Sequence, residues 1–475
     1  MRFVRLPGSI LLFLLLTFTI PLAAQSPVPE APQAGHLPDT FSLQRIFGGG
    51  RTRGHIRQFT MLTDNAPGLS DYYAVAAGAA LRYETRPWRG WQMTLGGQFV
   101  TDLSSSDFTR PDSVTGAYDR YDAGLYEILE LDNKHYLSRL EDFNLQYGWK
   151  QNRLVLGKQN LRTPLVNPQD GRMNTSMFEG IYGYFEPAGR LYLEGGWLWK
   201  AAPRSTNHWF GIAESVGVYS QGITVEGEKS NYAGNISSAG LLIFNGRYTH
   251  HAGTFDFWNY YFENVLNTAV LQWNKTLNLR KTAPSPQVHF GAQLIRQDAL
   301  ADGGNANPAL AYVAKNSKAW IMGGFAAWTK GGTRIQLNAT RITADGRFIF
   351  PREWGREPLF TFLARERNEG LGDVWAVSSQ FSRRCSRIPL ELALGAGHYQ
   401  LPDVKNFRLN KYGLPSYTQI NTEAKYRFAG SLDGLEIRVL AVWKRNEGDL
   451  HGNERYRINK VDMANYNLII NYLFH

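Results

Sequence analysis

The stretch Ile420-Asn421-Thr422-Glu423-Ala424-Lys425-Tyr426-Arg427-Phe428 changes character at every residue. Ile420, Thr422, Ala424, Tyr426 and Phe428 fall on one parity, and Asn421, Glu423, Lys425 and Arg427 on the other. On a helix these two sets would mix around the axis, whereas a strand sends them to opposite faces. The same alternation returns many times. Phe143, Leu145, Tyr147 and Trp149 are interleaved with Asn144, Gln146 and Gly148, and Ile335, Leu337 and Ala339 with Arg334, Gln336 and Asn338. Ala464, Tyr466, Leu468, Ile470, Tyr472 and Phe474 share a face opposite Asn465, Asn467 and Asn471.

Alternation alone suits a soluble sandwich as well as a membrane barrel. Composition and spacing separate them. The chain is polar on average, yet 13% of it is aromatic. A barrel needs that combination, because one strand face meets lipid, the other meets water, and rings gather at the two interfaces. Reading the alternation along the 475 residues predicts strands at 50–61, 72–84, 91–100, 142–150, 152–160, 178–186, 190–200, 238–248, 254–263, 268–278, 286–297, 318–328, 332–342, 372–382, 388–399, 418–428, 434–445 and 461–474. Gaps after even-numbered strands are short and several after odd-numbered strands are long, with 264–267 shorter than this rule expects. The fold class expected is therefore all-β: a transmembrane antiparallel β-barrel of about 18 strands, with long external loops.

The ends set the expected domain organisation. Arg2 and Arg5 precede an apolar run from Ile10 to Ile20 that closes on Pro21-Leu22-Ala23-Ala24. This order reads as a signal peptide over residues 1–24, with a retained anchor as the alternative. Residues 25–47 carry Pro27, Pro29, Pro32 and Pro38 and read as a disordered leader. The barrel is expected over 48–475. The one cysteine, Cys385, excludes an internal disulfide, so the fold must be held by its hydrogen-bond ladder.

Catalytic and metal chemistry leaves little trace. There is no G-x-S-x-G, H-E-x-x-H, P-loop or paired C-x-x-C spacing, so no catalytic residue, metal or cofactor is expected. His250-His251 reads as a solvated turn. Cys385 lies between arginines at a rim. The acidic run Asp119, Asp122, Glu127, Glu130 and Asp132 reads as loop surface, with calcium binding as the alternative. The formal charge is +10, but no aromatic–basic platform for nucleic acid is present.

The polar face is more informative. Arg53, Arg57, Arg334, Lys425, Arg427 and Arg438 are expected on lumen-facing parity. A basic row on a pore wall can pass an anion from group to group without holding it. Such charges can equally fill a wet interior and pair with carboxylates such as Glu423 and Glu436. The segment from Leu161 to Met177 is expected to fold inward as a constriction, stiffened by Pro164, Pro168 and Gly171 and lined by Asn167, Gln169, Asp170 and Arg172.

The run Thr163 to Met173 with Phe178-Glu179-Gly180, the run Pro351 to Leu359 leading to Arg365 to Asp373, and the opening Gly48 to Arg57 resemble OprD-type substrate-selective porins of the bacterial outer membrane. The resemblance implies an eighteen-stranded barrel narrowed by inward loops, with basic residues guiding small carboxylate-bearing solutes. It also implies outer-membrane lipids, small polar solutes and the barrel assembly machinery as partners. The final amphipathic strand resembles the signal that machinery reads, although His475 follows the terminal aromatic. Two other functions are weighed beside a channel: a plugged structural or adhesive barrel, and an outer-membrane hydrolase.

Overall fold

The structure is a computed structural model that describes residues 42–169, 171–280 and 285–474. The expected signal peptide and leader lie outside the described residues up to position 41, as do Asp170 and His475. A short helix, α1 (Leu43–Gly48), stands where the end of the leader was expected to be disordered. Ser42 caps it through its hydroxyl, and the Ile46 carbonyl accepts from the Arg86 amide at 3.0 Å, which ties it to the neighbouring turn.

The rest is one antiparallel sheet: β1 (Arg51–Asp64), β2 (Tyr72–Glu84), β3 (Trp91–Ser105), β4 (Leu137–Trp149), β5 (Asn152–Gln159), β6 (Met177–Ala188), β7 (Leu191–Ala202), β8 (Phe210–Gly211), β9 (Leu241–His250), β10 (Gly253–Phe262), β11 (Leu266–Asn278), β12 (Gln287–Ala299), β13 (Lys318–Lys330), β14 (Thr333–Ile342), β15 (Val374–Arg384), β16 (Leu390–Gln400), β17 (Tyr417–Arg427), β18 (Leu435–Asn446) and β19 (Met463–Phe474). Apart from β8, each strand pairs with the next around the ring, β7 pairing directly with β9 and β1 with β19. The two-residue β8 only adds to the end of β7, so eighteen strands close the ring. Closure leaves no edge whose amides and carbonyls would be stranded in lipid. The short gap suspected near 264 is real, since β10 and β11 are joined by three residues. Strands β3 and β4 run further than expected, to Ser105 and from Leu137, which shortens the loop between them.

Burial is inverted relative to a soluble protein. Phe143 and Leu145 are 49% and 43% exposed, while Asn144 and Gln146 between them are 5% and 8% exposed. Leu392 and Leu394 on β16, Ile335 and Leu337 on β14, and Tyr466, Leu468 and Tyr472 on β19 are likewise exposed. The apolar parity faces out to where lipid would lie, and the polar parity faces the lumen. One residue of slip would reverse this in a whole strand.

The hydrophobic core is therefore inside the barrel and belongs to the loops. One cluster joins Leu161, Leu165, Val166, Val216, Tyr232, Phe348 and Trp354 from the loops to Phe178, Tyr182, Tyr260 and Tyr417 on the wall. A second joins Phe108, Tyr121, Leu125 and Tyr126 to Phe59, Met61 and Val100. These loops leave from one end of the barrel, and short turns close the other.

Candidate functional site

Four loops meet in the lumen: L2 (residues 106–136), L3 (160–176), L4 (203–240) and L7 (343–373). L7 is the cross-beam. The Glu357 carboxylate accepts from the Asn368 amide at 2.9 and 3.0 Å and from the Glu369 amide at 2.9 Å, folding 357–369 back on itself. The lumen face of the wall then takes hold of it. Tyr399 donates to the Thr361 carbonyl at 2.9 Å, and Gln419 and Asn421 donate to the Ala364 carbonyl at 2.8 and 3.1 Å. Arg365 donates to Asn465 at 2.9 Å and to Asn467 at 2.6 Å, so two of the asparagines expected on the inner face of the last strand are loop anchors.

The other limb of L7 docks on L3 and L4. The Trp354 carbonyl accepts from the Asn167 amide at 2.9 Å, and its indole donates to Ser215 at 2.8 Å. The Glu353 carboxylate accepts from the Gly217 and Tyr219 amides at 3.0 Å each. L2 also turns inward. Asp122 is fully buried and accepts from the Thr63 hydroxyl at 2.5 Å, and Glu127 is 1% exposed. The expectation of a solvated acidic loop fails for Asp122 and Glu127, because Tyr121, Leu125 and Tyr126 carry this limb into the second core cluster, and holds for Glu130 and Asp132, which are exposed.

Between these limbs lies a cavity of ≈ 180 Å³. Among the described residues, eight arginines and three glutamates line it. Arg120 comes from L2, Arg172 from L3, Arg204 from L4, and Arg352, Arg356, Arg365 and Arg367 from L7, while Arg438 comes from the wall. Burial, then repulsion from Arg204, pulls the Arg365 guanidinium down to about 10. Burial, then repulsion from Arg120 and Arg352, pulls Arg367 down to about 9. Both remain cations at neutral pH. Burial lifts the Glu366 carboxyl well above the usual carboxylate range, and repulsion from Glu357 acts the same way. With eight guanidinium groups against three carboxylates among the described residues, the cavity has a positive bias.

The residues singled out by sequence do not all meet at the cavity. Arg172 (4% exposed) and Gln169 line the cavity, and Arg57 donates to the Arg172 carbonyl at 2.8 Å. Asn167 is a brace: its side chain donates to the Arg356 carbonyl and accepts from the Arg356 amide, each at 3.1 Å. Asp170 lies outside the described residues. The wall row lies in the half of the barrel near the short turns. Arg53, Arg57, Lys425, Arg427 and Arg438 come from β1, β17 and β18, and Lys425 stands opposite Arg438 in register. Arg438 pairs with Glu423 at 2.7 Å and Arg427 with Glu436 at 3.0 Å. Arg334 lies apart, three strands from β17, with its guanidinium on Gln336.

The loop arginines of L2, L4 and L7 were not among the expected site residues. Their signal was present in the cluster Arg352, Arg356, Arg365 and Arg367, but alternation says nothing about where an irregular loop goes. Opposite the basic wall, β6, β7 and β10 present Tyr182, Tyr192 and Tyr260, and Trp258 stacks on Tyr260 with ring centroids 6.1 Å apart.

No protein-family model matches the chain, and no curated protein sequence matches it. Solved structures do. OccK9 (OpdG) of Pseudomonas aeruginosa is 14% identical over 90% of this chain and 99% of its own, with a TM-score of 0.70. OpdK of the same organism, solved with vanillate, is 13% identical over 90% and 99%, at 0.69. OccAB4 of Acinetobacter baumannii is 16% identical over 90% and 98%, at 0.68. The chain has the fold of these proteins.

Proposed function

We propose that this chain is a porin of the bacterial outer membrane that admits small solutes selectively, favouring anionic carboxylates or amino-acid-like molecules. The observation that carries the reading is the cavity at the meeting of the inward loops, with its eight arginines against three glutamates. Guanidinium groups present paired donors to a carboxylate, and a wet, salt-screened path keeps each contact weak enough to release the solute. The wall residues Arg53, Arg57, Lys425, Arg427 and Arg438 would continue the path below the cavity, with Arg334 on a separate strand. The shared fold supports the setting, since OpdK is described as an outer-membrane protein and was solved with vanillate, itself a carboxylate. The apolar exterior supports outer-membrane lipid as the surrounding partner, and the amphipathic last strand supports insertion by the barrel assembly machinery.

A plugged barrel is the rival reading, favoured by the density of loop packing in the lumen. Single-channel recording of the refolded chain in a planar bilayer separates the two. Discrete conductance steps with a reversal potential toward anion preference are expected. Absence of steps would support the plug, and steps that prefer cations would remove the carboxylate assignment while keeping the channel.

A further inference from the structure

L8 (residues 401–416) touches the constriction through the Tyr412 ring and through Lys411, whose ammonium lies 3.8 Å from Glu369. Tyr412 lies with the Arg352 and Arg367 guanidinium carbons each 4.9 Å from its ring centroid, and the Lys411 ammonium 5.3 Å away. Its hydroxyl donates to Glu369 at 3.3 Å, and Glu369 forms an ion pair with Arg352 at 3.1 Å. Arg352 and Arg367 both line the cavity, whereas Tyr412 does not.

The ring is held in a fitted slot. A Cβ at Gly370 would lie 2.5 Å from it and one at Gly222 would lie 2.9 Å from it. Both glycines have positive φ, +88° and +73°, so neither position favours a side chain. L4 and L7 therefore close on Tyr412 from two sides. Two arginines that repel each other both lie against one electron-rich ring, and the ring supplies attraction that neither can give the other.

We propose that Tyr412 is a positioning residue for solute selection: its ring holds Arg352 and Arg367 at the cavity wall and so sets the strength of the positive constriction. Loss of the ring leaves the two cations to separate toward water, away from the path. The selectivity readout rests on the proposed channel function, and a positional readout does not.

The test compares Tyr412→Leu with Tyr412→Phe in the full-length refolded barrel. Phenylalanine keeps the ring face and loses only the bond to Glu369. Under a salt gradient, Tyr412→Leu is expected to lower the anion-to-cation permeability ratio by roughly two- to fivefold, the scale of a water-screened cation–ring contact. Tyr412→Phe is expected to stay near the unchanged protein. An unaltered ratio in Tyr412→Leu, or an equal fall in both variants, overturns the proposal. Cation preference in the unchanged protein would instead count against the carboxylate reading. Crystal structures of the two variants then decide the inference: displaced Arg352 and Arg367 guanidinium groups in the leucine variant alone support it, and unmoved groups refute it.

Discussion

Arg438 on β18 and Glu423 on β17 face each other across the lumen wall, with Nη2 and Oε2 2.7 Å apart. The pair ties the wall's most cavity-proximal cation to a fixed anion, so in the proposed channel it would be worth less to a passing carboxylate than a bare guanidinium. Replacing Arg438 and Arg427 together by Gln removes two cations and also uncovers Glu423 and Glu436. The expected result is a fall in anion preference of up to roughly fivefold, matching the about 0.2–1 kcal/mol of a screened ion pair. Reversal potentials before and after the change provide the check. A potential that does not move would mean the wall charges only fill the lumen.

Arg365 is fastened to β19 by Asn465 and Asn467, and each bond involves a charged donor worth about 1.5–3 kcal/mol. Changing both asparagines to Ala should free this corner of L7 while the barrel itself is retained. Single-channel traces should then show larger and noisier steps, and the heat-induced mobility shift of the folded barrel on gels should stay where it was. An unchanged trace would show that Gln419, Asn421 and Lys444, whose ammonium donates to the Arg365 carbonyl at 2.5 Å, suffice to hold the loop.

The barrel was legible because its rule is local. In β17 and β19 the parity of each residue announces its face, and closure needs only enough such strands to make an even count. Arg57 and Arg438 could be placed on the lumen side for the same reason. Arg352, Arg365 and Arg367 could not be ranked, since their positions depend on bonds from Glu357 to Asn368 and from Asn465 and Asn467 across about a hundred residues of chain. L2 was misread because Asp119 and Asp122 look like loop surface until Tyr121 and Leu125 carry them into the core. The resemblance to known porins pointed to inward loops, but the residues that meet there are a product of the tertiary fold.

Leu394, at the middle of β16, is 48% exposed and faces outward. Replacing it by Arg should destabilise the folded barrel by about 2–4 kcal/mol if the site lies at the bilayer midplane. Reversible denaturant unfolding in lipid vesicles measures the difference. A change near zero would place β16 at the membrane boundary or reverse its register.

Tyr121 gives the constriction a pH dependence. Burial raises its phenol, but Arg120, Lys444, Arg367 and Arg365 together overcome this and bring it down to about 8. The Arg120 and Arg365 guanidinium carbons lie 5.2 and 5.8 Å from its ring centroid. A phenol whose folded value is depressed contributes stability that is complete above its ordinary value near 10 and disappears as pH falls through about 8. Its ionisation also places a negative charge beside the cavity, so anion preference should decline as pH rises from 7 to 9. Lys460, brought down to about 7 by burial and by repulsion from Arg120, Arg367 and Arg455, loses charge over an overlapping range. The measurement is therefore a comparison of reversal potentials across this range in the unchanged protein and in Tyr121→Phe. The step centred near pH 8 should shrink in the variant, leaving the parts due to Lys460 and, toward pH 9, to Arg367. Superimposable curves would show that the phenol stays neutral and that the basic cluster does not reach it.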